Sequence, residues 1–81
     1  MKLKKFLKLI DPIGTYVVIW TPESAEEDKP IYEGDIFDIP WWLMECRIGR
    51  ANDDLEEPIH IYTQKNEHDV LIPTIVINVI E

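Results

Sequence analysis

The residues able to do chemistry are few, and their spacing does not combine them. His60, His68 and Cys46 are the only histidine or cysteine metal ligands of the 81-residue chain, and none is spaced as in a zinc motif. Cys46 with a histidine is a conceivable nucleophile pair, yet nothing around it would depress the thiol pKa, and it reads as a small apolar residue closing a helix. Thr21 and Ser24 lie near acids, but no Gly-x-Ser-x-Gly elbow or glycine-rich phosphate loop occurs, and the three glycines stand apart at 14, 34 and 49. Asp35 with Asp38, or Asp53 and Asp54 with Glu56, are carboxylates for a weakly held hard cation, without the full spacing and glycine of a calcium loop. The sequence therefore predicts a non-enzymatic protein with no catalytic residue, no cofactor and no metal.

Length and composition set the scale of what remains. A chain of 9.6 kDa holds one domain, residues 1–81, and 46% apolar residues are enough to fold it. One cysteine makes no intramolecular disulfide, no run of about 18 apolar residues spans a membrane, and the N-terminal lysines break up any signal-peptide pattern. The expectation is a soluble, reduced, cytoplasmic protein. Its net charge is −8, and it is unevenly spread: Lys2, Lys4, Lys5 and Lys8 are half of all bases, so residues 11–81 balance at −12. Such a charge repels phosphate and argues against general nucleic-acid binding. Two acidic clusters, Glu26-Glu27-Asp28 and Asp53-Asp54 with Glu56-Glu57, fall between apolar runs, as solvated loops or as a surface for a cationic partner.

The elements that would position these groups follow from periodicity. Leu3, Phe6, Leu7 and Ile10 share one face of a short helix whose lysines lie opposite, and Asp11-Pro12 stops it. That helix either docks on a sheet or binds a membrane or nucleic acid; burial of Phe6 and Leu7 would end the second reading. Tyr16–Trp20 is apolar on both faces, which suggests a central strand or one covered by the helix and by a partner. A loose hairpin connection over the acidic stretch leads to a returning strand, Ile31–Ile36, with Gly34 as a bulge. Asp38 caps and Pro40 opens a short helix from Ile39 to Glu45. Cys46 to Arg50 is extended, Ile59–Thr63 is a third strand, and Thr74–Ile80 a fourth that Val70–Ile72 extends or crosses. Of the consecutive tryptophans Trp41 and Trp42, one is expected to fill the core and the other to lie at the rim or anchor a partner.

The lysine-rich starter Leu3-Lys4-Lys5-Phe6-Leu7-Lys8-Leu9-Ile10-Asp11, the strand Tyr16–Trp20, Tyr32-Glu33-Gly34-Asp35 and the helix start Asp38-Ile39-Pro40-Trp41 together resemble small acidic orphan proteins of phages, prophages and other mobile elements of Gram-positive gut bacteria. The resemblance spans most of the chain and implies a genomic context; it brings no catalytic residues.

The fold class expected is a small α+β domain, helix–strand–strand–short helix–strand–strand. Its sheet would be mostly antiparallel and curled toward a barrel or covered on one face by the first helix. Its core would be built from Leu3, Phe6, Leu7, Ile10, Val18, Ile36, Leu43, Ile61, Ile75, Ile77 and Val79. The function expected is that of an interaction or adaptor protein that forms a homodimer, with Trp41, Trp42, Asp53, Asp54, Glu56 and Glu57 as partner contacts and with no nucleic-acid or membrane partner. The alternative is an acidic inhibitor or nucleic-acid mimic that blocks a cationic host protein.

Overall fold

Apolar, β-branched runs make the sheet, and the short segments between them supply helices too small to stand alone. The structure, a computed structural model, describes residues 1–11, 13–49 and 58–80. Its elements are α1 (Leu3–Leu7), β1 (Tyr16–Trp20), α2 (Pro22–Glu26), β2 (Tyr32–Asp35), α3 (Trp41–Met44), β3 (Arg47–Ile48), β4 (Ile59–Lys65) and β5 (Leu71–Ile80). They form an α+β domain around an open five-stranded sheet.

The last strand is the spine. β5 lies parallel to β1 through Tyr16↔Thr74 to Trp20↔Asn78, and antiparallel to β4 through Ile59↔Ile77 to Lys65↔Leu71. β3 pairs with the final residues, Arg47↔Ile80 and Ile48↔Val79, and β2 runs antiparallel along the far side of β1. The sheet is thus mixed, because the parallel β1–β5 pair sits among antiparallel ones, and it does not close. β3 and β4 meet end to end at Asn78, whose N–H donates to the Pro58 carbonyl and whose carbonyl accepts from the Gly49 N–H. Outside β3 the N-terminal residues add one more rung: Ile48 N–H donates to Met1, Leu3 N–H donates to Cys46, and Lys2 bridges to Arg47.

One face of the sheet is covered. Val17, Ile19, Ile75, Ile77 and Val79 are buried beneath Leu3 and Leu7 of α1, Leu43 of α3 and Ile39. Phe6, Ile10 and Ile36 pack on this core half-buried, so the apolar stripe of α1 is spent on the sheet. Val18 belongs to the other face: alternation turns it away from Val17 and Ile19, a choice that five consecutive apolar residues leave open. Ile61 shares the face of Ile75 but is 64% exposed, since the helices do not reach that far along β4.

One connection and one strand residue also differ from expectation. The segment after β1 is a helix, α2, whose start is a reciprocal cap: the Thr21 hydroxyl accepts from Ser24 N–H at 3.1 Å, and the Ser24 hydroxyl accepts from Thr21 N–H at 2.8 Å. Asp28 ends it in the left-handed region, φ 54°. Gly34 is not a bulge, because the β1–β2 register runs unbroken through Val17↔Gly34. Instead the Tyr32 ring crosses it to bring its hydroxyl to the Asp35 carbonyl, and a Cβ at Gly34 would meet the Tyr32 oxygen at 2.9 Å.

Candidate functional site

Helix α3 displays its tryptophans. Pro40 occupies the position before its first turn with φ preset, no side chain caps it, and Asp38 is not the cap. A four-residue helix has one inward position, and the fully buried Leu43 takes it. Trp41 is 78% exposed and Trp42 47%, so neither fills the core as expected, and Phe37 just upstream is also exposed. Asp35 is committed to the turn that delivers this segment, its carboxylate accepting from Phe37 N–H at 3.1 Å and Asp38 N–H at 3.2 Å.

A clasp holds α3 to α1. Glu45, directly after α3, accepts from Lys2 and Lys4, each at 2.8 Å. These two hydrogen bonds hold its carboxyl well below the usual range, down to about 2.

Between α2 and α3, at the carboxyl ends of β1 and β5, lies a groove of about 590 Å³. Ile31, Trp42, Val79 and Ile80 give it apolar surface, while Glu23 of α2 and Glu27 at that helix's C-cap, four positions apart, are its acidic lining residues. Cys46 also lines it, with Sγ 3.4 Å from the Trp42 carbonyl.

The second region of interest is an arm. β1 pairs with β5 only from Thr74 onward, so Leu71–Pro73 and their partners Thr63–Lys65 form a two-stranded ribbon with no third strand among the described residues. Asn66 closes its tip: the side-chain oxygen accepts from the N–H of His68 and Val70, and its own N–H donates to Val70. Ile61, Tyr62, Val70 and Leu71 are exposed along this ribbon and its root. On the face opposite the helices stand Tyr16, Val18, Trp20, His60 and Tyr62, the last two with ring centroids 5.9 Å apart. Burial, then the nearby Glu33 carboxylate, pushes the Tyr16 hydroxyl up from its ordinary value.

The structure leaves the chemically capable residues apart. Cys46 sits in the groove, His60 on the open face, and His68 in the arm's turn beside Glu67. Among the described residues no three of His, Cys, Asp and Glu are grouped to hold a metal ion, and no helix is long and apolar enough to cross a membrane. The predicted contacts Asp53, Asp54, Glu56 and Glu57 lie outside the described residues. Sequence reading missed Phe37, the arm, and the Glu23–Glu27 pair. The Thr21-Pro22-Glu23-Ser24 helix-start pattern was the available signal for the last. No protein-family model, no curated protein and no solved structure matches this chain.

Proposed function

We propose that this is a non-enzymatic interaction protein of a mobile element that assembles as a homodimer through its β4–β5 arm. One observation carries the reading: Leu71 is 61% exposed on a ribbon with no third strand beside it among the described residues, and Ile61, on the same face at the ribbon's root, is 64% exposed. A two-stranded ribbon is marginal in water on its own, and apolar side chains stabilise it only when something covers them. A second arm supplies the same residues in the same order, as a twofold contact requires. Trp41 and Phe37, on the α3 side, remain available to a different protein, which is the adaptor element of the proposal. Sedimentation equilibrium at micromolar concentration tests it. The expected mass is twice 9.6 kDa for the native chain, falling to the monomer for Ile61→Lys with Leu71→Lys while circular dichroism stays unchanged. A native monomer across that range rejects the homodimer.

The second reading is an acidic inhibitor or nucleic-acid mimic. What favours it is that residues 22–38, which make α2 and the β2 edge, hold Glu23, Glu26, Glu27, Asp28, Glu33, Asp35 and Asp38 against Lys29 alone. Competition with duplex DNA for a basic host protein tests it: displacement that Glu26→Lys with Glu33→Lys abolishes supports the mimic, and no displacement rejects it.

A further inference from the structure

We propose that the groove between α2 and α3 binds a small amphipathic ammonium compound, a protonated amine carried on an aromatic or aliphatic body. The groove's volume of about 590 Å³ falls in the range of small-molecule sites, roughly 300–1,000 Å³. Its chemistry is two-sided. Ile31, Trp42, Val79 and Ile80 offer apolar and aromatic surface to a hydrophobic body, and Glu23 and Glu27 line the same groove with acidic side chains suited to a positive head. No lysine or arginine is among the described residues that line it, and Glu23 and Glu27 are the charged ones among them. An anion is repelled, and a neutral apolar molecule leaves the carboxylates without a counter-charge. An indole wall adds to the preference for a cation.

The frame around the groove is fixed before any ligand arrives. Glu23 stands on α2 and Glu27 directly follows its last residue, and the first turn of this helix is locked by the Thr21–Ser24 cap, with Ser24 buried. Trp42 precedes Leu43, which is buried in the core, and Val79 belongs to the spine of the sheet. The groove also opens at the carboxyl ends of the parallel strands β1 and β5, where open sheets with parallel strands place their ligands. The proposal does not depend on dimerisation.

Titration of the ¹⁵N-labelled chain at pH 7 with 2-phenylethylamine, and with uncharged 2-phenylethanol, tests it. The expected result is saturable amide shifts confined to Thr21–Glu27, Ile31, Trp42 and Val79–Ile80. The alcohol should bind about tenfold more weakly, as loss of one screened charge pair and one cation–aromatic contact implies. Glu23→Gln with Glu27→Gln, both exposed and outside the core, should bring the amine down to the alcohol's affinity and leave the alcohol unchanged. Trp42→Ala should weaken both. Equal affinity for amine and alcohol, shifts centred elsewhere, absence of saturable binding in the millimolar range, or binding of a lysine-bearing peptide in place of the free amine would each overturn it.

Discussion

Ile75 and Leu71 lie on the same face of the same strand, four residues apart, and are 5% and 61% exposed. At Ile75 the strand has β1 on one edge, β4 on the other and the helical layer above it. At Leu71 it has β4 alone among the described residues. Both residues suit a strand equally by type, so the difference comes from what the rest of the chain places beside them. In the body, burial drives the fold; in the arm, the turn at Asn66 and the ladder to β4 hold the shape, and the apolar side chains are left for an external surface.

Four measurements would break or sharpen that contrast. Ile75→Ala should cost about 3 kcal/mol in urea unfolding, because it leaves a cavity in packed surroundings. A cost similar to that of Leu71→Ala would erase the distinction between body and arm. Gly34→Ala, at the body's opposite edge, should cost about 1–2 kcal/mol, since φ is 156° and a methyl group meets the Tyr32 oxygen. Pairing it with Tyr32→Leu should recover the part due to the clash. Acid should loosen the body before the arm. The Glu45 clasp stabilises the fold in full above its unfolded pKa of about 4.5, and that contribution disappears as pH falls toward about 2. Amide protection in α1 should therefore drop across that window in the native chain and change less in Glu45→Gln. The smallest effect is expected for Leu71→Ala, under about 1 kcal/mol for the monomer, with its main consequence a weaker dimer in sedimentation.

The legible parts of the fold are those where type and period agree. Tyr16–Trp20 is rich in β-branched and aromatic residues and became β1 with the expected ends, and Leu3 and Leu7 at i, i+4 pointed to the docked face of α1. Where the pattern is uniform, it carries no orientation: five apolar residues in β1 hid that Val17 and Ile19, not Val18, face the core. α2 was hidden because Pro22–Glu26 is short and polar, with only Ser24 turned inward, and its single announcement is the Thr21 cap. The tryptophans were misplaced because size suggested burial, whereas a four-residue helix offers one inward slot and Leu43 fills it. Parallel pairing of β1 with β5 was beyond reach, since it joins segments more than fifty positions apart in the chain. The groove is of the same kind: Glu23, Trp42 and Val79 become neighbours only through that pairing.

The position of β5 has a consequence for synthesis. β1, β3 and β4 all take hydrogen bonds from it, yet all three leave the ribosome before it does. Until that segment emerges, the earlier strands have no central partner and their apolar faces depend on the translation machinery or on chaperones for shelter. A nascent chain arrested before Leu71 should therefore be protease-sensitive throughout, and resistance should arrive in a single step as Thr74–Ile80 clears the exit tunnel.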